Sequence, residues 1–428
     1  MLKNKKIKFI IIMIITIIVV GIFIWYRYGN SREKSNNPTG ESSNSPDKIM
    51  GSIKSSDILT GVNIHSLEMQ DDEIKKISGA GLKIVRIDLF WSSVENKKGV
   101  YDFSKYDRFV KNMERNNVKI LFVLDYGNKL YDNGLSPHTD EGRKAFVNFA
   151  KAAVERYKGK QIMWEIWNEP NASFWYPKPN WEDYFKLAME TIKEIKAVDK
   201  DAFIAAPAAS EVHFDFLNYL GKAGLFKYID AVSVHPYRGS NPETVIYDYK
   251  DLKTLIGNYP HKNNIQIFSS EWGYTVSSKG MDDMKQAQYC IRQYLLNTMS
   301  GVKLSIWYDW KNDGNDKNNG EHNYGTMYSN LTPKPTYYAI KTMNKTLKGY
   351  DYIKRVDTPS KDDYVLMFKK DNKIIYAAWT STKDHDINLN IRNDAAEVTD
   401  LIGKTYEHKA QSGKYKLHLD ESVKYILN

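Results

Sequence analysis

From residue 58 onward the sequence repeats one unit eight times: a short run of β-branched or apolar residues, then a longer amphipathic stretch. The strand-like runs are 59–65, 83–90, 118–126, 162–168, 202–207, 228–236, 264–272 and 302–310. Between them lie segments with helical periodicity, among them 103–116, 143–157, 181–198 and 282–299. Each crossover is long enough to bring the next strand back parallel to the last. Eight such repeats predict an α/β fold, a closed (β/α)8 TIM barrel, over residues 57–346. An open doubly wound sheet needs fewer repeats, and no glycine-rich phosphate loop follows the first strand.

The pattern changes after residue 347. Short alternating runs at 364–369, 373–380, 386–391, 415–419 and 423–427 are separated by polar turns. They predict a small antiparallel, sandwich-like β-domain over 347–428, packed on the barrel as support. It holds no cluster of tryptophans, and Trp379 falls inside a strand, a core position rather than a sugar platform.

The N-terminus has a different character. From Phe9 to Tyr26 there are 18 residues without a charge, rich in Ile and Val, preceded by Lys3, Lys5, Lys6 and Lys8. As a helix this run spans roughly 27 Å, enough to cross a hydrocarbon core. Residues 1–28 are therefore expected to form a cytoplasmic stub and transmembrane signal-anchor, with the rest of the chain outside the cell. The run exceeds a cleaved leader's usual apolar region, and no alanine precedes Ala80; Gly29-Asn30-Ser31 is the one small-residue site where cleavage would release a secreted form. Residues 29–56, rich in Ser, Asn, Pro and Gly, read as a flexible tether.

This division also accounts for the charge. The chain carries a formal +9, of which the first 34 residues contribute +6. No basic stripe remains that would track phosphates, so nucleic acid is excluded as a partner. A single cysteine, Cys290, forbids an internal disulfide. The nine histidines form no HxH or HxxxH pair, and the Asp- and Asn-rich stretch 309–321 fails the calcium-loop spacing, so no metal and no cofactor is expected.

In such a barrel the reactive side chains sit at the C-terminal ends of the strands. Those ends carry Asn63 and His65; Arg86, Asp88 and Trp91; Asp125 and Tyr126; Asn168 and Glu169; His235 and Tyr237; Glu271; and Trp307, Asp309 and Trp310. Two glutamates, on the fourth and seventh strands, can face each other across the barrel mouth. Acetal cleavage needs two carboxyls, one to protonate the leaving oxygen and one to attack carbon or activate water. Glu165 lies one pleat below Glu169 and is expected to be a buried carboxylate paired with a cation. Trp175 and Tyr176 follow Glu169 in a loop and are expected to form a platform on the leaving-group side.

The segment Trp164-Glu165-Ile166-Trp167-Asn168-Glu169-Pro170 resembles the acid/base motif of glycoside hydrolase clan A, and Phe268-Ser269-Ser270-Glu271-Trp272-Gly273 resembles that clan's nucleophile strand. Asn171, Phe174-Trp175 and Tyr184 are similar to the pattern of family 39, which holds β-xylosidases and some exopolysaccharide hydrolases; family 5 cellulase-type enzymes share these features. Tyr324-Gly325 and the run from Pro333 to Tyr338 resemble the end of the barrel in the same clan, so the likeness covers about residues 58–345. The resemblance implies retention of configuration, with Glu271 as nucleophile and Glu169 as acid and then base, its pKa raised for the first step. It implies that Asn168 binds the sugar 2-hydroxyl, that Arg86 and Tyr237 hold Glu271 ionised, and that His235 and Trp310 line the subsite of the cleaved sugar. Trp91, Trp175 and Asp125 complete the expected binding set.

The function expected is endo-cleavage of β-glycosidic bonds in a cell-surface or secreted polysaccharide, for example a β-1,4-glucan. The membrane tether places such an enzyme beside exopolysaccharide synthesis machinery or biofilm turnover. An exo-acting β-xylosidase, a transglycosylase and a non-catalytic glycan-binding scaffold are the competing readings.

Overall fold

The computed structural model describes residues 59–277, 280–389, 395–409 and 415–427. The expected membrane segment and tether, residues 1–56, lie outside the described residues, as do positions 390 and 391 of one expected strand. Among the described residues no helix is long and apolar enough to cross a membrane.

Eight parallel strands close into a barrel in sequence order. They are β1 (Leu59–Asn63), β2 (Ile84–Phe90), β3 (Lys119–Asp125), β4 (Ile162–Ile166), β5 (Phe203–Ser210), β6 (Ala231–His235), β7 (Gln266–Trp272) and β8 (Leu304–Trp307). The helices that return the chain are α1 (Asp71–Gly79), α2 (Ser104–Arg115), α3 (Asp140–Tyr157), α4 (Trp181–Val198), α5 (Phe214–Ala223), α6 (Val245–Gly257), α7 (Asp283–Met299) and α8 (Pro335–Thr346).

Local chemistry explains these elements. In α2 the buried residues Tyr106, Phe109, Val110 and Met113 recur at helical spacing, so one stripe faces the strands. Helix starts are fixed by side chains that satisfy orphan amides: Thr139 accepts from Gly142 N, Asn180 from Glu182 N and Asp183 N, and Asp282 from Lys285 N.

Inward-facing strand positions form two layers. The lower is apolar, with Leu59, Ile84, Leu121, Met163, Phe203 and Phe268 in a cluster of their own. Gly61 belongs to this layer because nothing larger fits: an added Cβ would lie 2.4 Å from Ile84 Cγ2. One pleat higher on the same strands stand Arg86, above Ile84, and Glu165, above Met163. The apolar plug thus supports a charged floor at the barrel mouth, where the strands' C-terminal ends open.

The second part of the chain forms a six-stranded antiparallel sheet, in the order Thr405–Lys409, Ala395–Thr399, Lys424–Leu427, Lys373–Thr380, Asp363–Lys370 and Asp351–Arg355, and a two-stranded pair of His385–Leu389 with Tyr415–Leu419. Here β9 is Asp351–Arg355, β10 Asp363–Lys370, β11 Lys373–Thr380 and β12 His385–Leu389. They are followed by β13 Ala395–Thr399, β14 Thr405–Lys409, β15 Tyr415–Leu419 and β16 Lys424–Leu427. Val365, Ala378, Ile387, Val398 and Leu417 form the core of these layers. Trp379 is fully buried and ties the sheet to the barrel, its Nε1 donating to Glu243 Oε1 at 2.8 Å. Glu243 also receives Arg292 of α7 through Nε at 2.8 Å and Nη2 at 2.5 Å. A buried ion pair of the barrel thus meets a neutral indole donor of the sheet at this junction.

Candidate active site

A cavity of about 470 Å³ opens at the barrel mouth, and Arg86, Asn168, Glu169, Tyr237 and Glu271 all line it. Arg86 organises its floor. From β2 it donates through Nε to Glu165 Oε2 at 2.7 Å, through Nη1 to Glu271 Oε2 at 2.6 Å and through Nη2 to Asn168 Oδ1 at 2.7 Å. The planar fork suits three partners, Glu165 on β4, Asn168 just beyond it and Glu271 on β7, a geometry lysine cannot reproduce. Burial works against the guanidinium charge, but Glu165, Glu271 and Asp88 outweigh it and hold Arg86 protonated.

The opposite side of Glu271 is held by Tyr237, whose hydroxyl donates to Oε1 at 2.9 Å. Burial pushes the Glu271 carboxyl up, but His235, Arg86 and hydrogen bonds from Tyr237 and Asn63 prevail and place it below its ordinary range. This is the environment of a carboxylate kept ionised.

Glu169 reaches the cavity because β4 ends at Ile166 and the chain turns sharply. Trp167 and Glu169 both adopt left-handed backbone, with φ of 70° and 46°. Such conformations are costly for large side chains and persist where surrounding contacts enforce them. The contacts are specific: Tyr184 Oη donates to Ile166 O at 3.0 Å, Glu169 N donates to Ala208 O at 3.0 Å, and Asn171 exchanges two hydrogen bonds with the Ser210 backbone. His235 Nδ1 lies 2.8 Å from Glu169 Oε1, and its Nε2 lies 3.4 Å from Arg86 Nη2. One oxygen each of Glu169 and Glu271 and a nitrogen of His235 all fall within 4.8 Å of one another. With Arg86 bonded to Glu271 inside that group, the arrangement is a proton-handling site rather than a cation site. His65 Nδ1 approaches Asp313 and Asp309 at 3.5 and 4.0 Å, an ion-pair network on the cavity rim.

Several expected binding residues are placed differently. Trp175 is 2% exposed and packs on Trp167 and Tyr184, so it is core rather than platform. Phe174, its neighbour, is 46% exposed, lines the cavity and stacks on Tyr126 at 5.9 Å. Trp310 is buried, its Nε1 bonded to Glu73, because it lies three residues past the end of β8 and turns away from the axis. Trp91 begins a single helical turn behind β2 and is buried against Tyr131, with Nε1 on Glu95. His235 is completely buried and touches the site through Glu169 instead of lining the cavity. Asp125 is likewise buried, behind Asp88, which does line it. Tyr308 and Tyr324 also line the cavity and were not among the candidates. The signal for Asp88 was its inward parity with Arg86; Tyr308 had none beyond adjacency to Trp307. Glu165 has the buried, cation-paired position expected of it.

Comparison with known proteins agrees with this architecture. A model of the cellulase family, glycosyl hydrolase family 5, matches residues 22–315, more than half of the chain. A β-xylosidase of Geobacillus stearothermophilus is 27% identical over 177 residues, 36% of this chain and 35% of that protein. The chain thus aligns with about a third of the length of this curated relative. A family 39 glycoside hydrolase from the gut symbiont Bacteroides cellulosilyticus WH2 superposes with a TM-score of 0.78 at 26% identity, covering 88% of this chain and 82% of that one. A family 39 β-xylosidase from Caulobacter crescentus shares the fold, with a TM-score of 0.65 at 16% identity and coverage of 87% and 95%. With its closed barrel and facing glutamates, the chain belongs to the cellulase family, glycosyl hydrolase family 5, of the clan whose family 39 members it also resembles.

Proposed function

We propose that the protein hydrolyses β-glycosidic bonds of a polysaccharide with retention of configuration, Glu271 as nucleophile and Glu169 as acid and then base. The observation that carries this reading is the approach of the two carboxylates to within 4.8 Å. Retaining enzymes hold the two carboxyl groups about 5–5.5 Å apart and inverting enzymes roughly 6.5–9.5 Å apart; so close an approach of one oxygen from each supports the retaining class. In the first step the Glu271 carboxylate attacks the anomeric carbon while Glu169 protonates the departing oxygen. In the second, Glu169 takes a proton from water as that water displaces Glu271. Arg86 and Tyr237 keep Glu271 charged for attack and accept its charge back when the glycosyl bond breaks. His235 fixes the Glu169 carboxyl in position.

We further propose endo action on an exopolysaccharide at the membrane that exports it, with residues 1–28 as anchor. The exposed Phe174 ring beside Tyr126, on the Glu169 side, supports a leaving group longer than one sugar. The 18-residue uncharged run supports the anchor. An exo-acting β-xylosidase-like enzyme is the second reading, favoured by the β-xylosidase relative. Digestion of β-glucans, xylans, mannans and native exopolysaccharide, with products sized by mass spectrometry, separates the two. Oligosaccharides absent with Glu271→Gln establish endo-hydrolysis; release of monosaccharide alone moves the reading to the exo enzyme. Longer products at high acceptor concentration mark a transglycosylase. An intact polymer that still binds would make the protein a scaffold.

A further inference from the structure

Asp125 presents a problem that the catalytic scheme leaves unsolved. It is fully buried, and neither carboxylate oxygen meets a protein donor among the described residues. What it does meet is another carboxyl, that of Asp88 on the adjoining strand. Two bare carboxylates in contact and out of water repel strongly; a shared proton turns the repulsion into a charge-assisted hydrogen bond. The surroundings decide which partner keeps it. Burial, then Asp88, pushes Asp125 far up, with Glu165 adding to the rise and only Arg86 opposing. Burial and Glu271 also leave Asp88 above its ordinary range, but Arg86, His65 and the bond from Asp125 offset part of that rise, so it is raised less than Asp125. Of the two, Asp125 is the better holder of a shared proton and Asp88 the better acceptor.

Asp88 is half-buried and lines the cavity, while Asp125 does not. Arg86, the nearest cation, is committed to Glu165, Glu271 and Asn168, so the Asp88 carboxylate has acceptor capacity directed at the cavity. On the neighbouring β1, Asn63 Oδ1 is buried at the cavity wall without a donor. Its register partner on β2 is Arg86, which places Asn63 beside the same floor. The stretch of wall formed by Asp88 and Asn63 Oδ1 therefore presents acceptors to the cavity.

We propose that Asp88, backed by the buried Asp125, is a specificity-determining residue: it accepts hydrogen bonds from hydroxyls of a neutral, unsubstituted sugar seated over Glu271. Asn63 Oδ1 supplies a further acceptor. Uronates and sugars acylated at those hydroxyls are excluded, because they present a negative charge or an acceptor to a wall of acceptors. Asp125 is a positioning residue that acts through Asp88. This assignment rests on the glycosidase reading, since it presumes a sugar over Glu271.

The test uses the full chain in detergent, with an aryl β-glycoside of the sugar that the wild type turns over fastest and its monodeoxy analogues. Loss of the hydroxyl that Asp88 reads is expected to lower the wild-type kcat/KM by roughly 10- to 100-fold, the worth of a hydrogen bond to a charged group. In Asp88→Ala the parent sugar loses that factor, and removing the same hydroxyl then changes little. Asp125→Asn keeps a donor for Asp88 and should retain discrimination; Asp125→Leu should lose it while remaining folded. A protonated-carboxyl infrared band at neutral pH, absent from Asp125→Asn, marks the proton. Equal losses on every analogue in Asp88→Ala, with discrimination intact, overturn the proposal. Should the wild type turn over no glycoside, the hydrolase reading falls. The same discrimination, measured calorimetrically as Kd for parent and monodeoxy sugars, then decides the role of Asp88.

Discussion

Replacing Arg86 with methionine should destabilise the whole barrel as well as the site. Arg86 is 3% exposed, and its guanidinium makes three hydrogen bonds of 2.6–2.7 Å. Methionine has similar length and apolar volume, so the loss is electrostatic. Glu165 suffers most, because it is 0% exposed and its other oxygen already lacks a partner. Breaking a buried pair by removing one member costs about 3–5 kcal/mol. In a domain of this size that is on the order of 10 °C in Tm. Adding Glu165→Gln removes the stranded charge, so the double variant should recover roughly half of the loss. Differential scanning calorimetry of wild type, both single variants and the double variant closes the cycle. The reasoning fails if Arg86→Met melts with the wild type, or if Glu165→Gln gives no rescue. Should Arg86→Met not fold at all, the yield and Tm of the double variant still report the rescue.

Tyr237→Phe removes a donor that favours ionised Glu271, so the Glu271 pKa should rise and the acid limb of the kcat/KM profile should move to higher pH. Activity then falls at low pH more than at neutral pH; an unmoved limb contradicts the role. Trp175→Ala and Phe174→Ala should separate: the buried ring costs about 3–5 kcal/mol of stability, whereas the exposed one leaves Tm nearly unchanged and raises KM for long substrates. The reverse order, read by thermal melts and oligosaccharide kinetics, would restore Trp175 as the platform. Glu243→Gln strands fully buried Arg292 at the junction of barrel and sheet, with an expected loss of about 3–5 kcal/mol and little change in kcat at a temperature where the variant is folded.

The barrel was legible because its strands and helices differ in period, and the observed β4, β7 and α4 lie within two residues of the expected bounds. Strand β13 went unseen although it alternates, because two alanines and a glutamate among its five residues give it little strand propensity, and β9 and β14 went unseen for another physical reason. Residues Asp351–Arg355 and Thr405–Lys409 are largely exposed and polar, so no alternation marks them as half-buried. At the site, position along a strand located Arg86, Asn168, Glu169, Tyr237 and Glu271, because inward parity and strand ends determine where such side chains emerge. It did not determine the direction of residues beyond the strands. Trp91, Trp175 and Trp310 all leave the barrel axis to fill gaps between helices, where a large ring gains most from burial. Nor does sequence show that Asp125 stands behind Asp88, since that depends on how neighbouring strands are staggered.

The central claim is the division of labour between the two glutamates, and covalent trapping tests it most directly. In a 2-fluoro glycoside the fluorine slows both steps and a good leaving group restores the first, so the glycosyl–enzyme should accumulate and be seen as a mass increment of one fluorosugar. Peptide mapping is expected to place the adduct on Glu271, with none formed by Glu271→Gln, whereas Glu169→Gln, whose acid an activated leaving group does not need, still forms it and releases it more slowly. An adduct on Glu169, or turnover that inverts the anomeric centre without any adduct, would contradict the account.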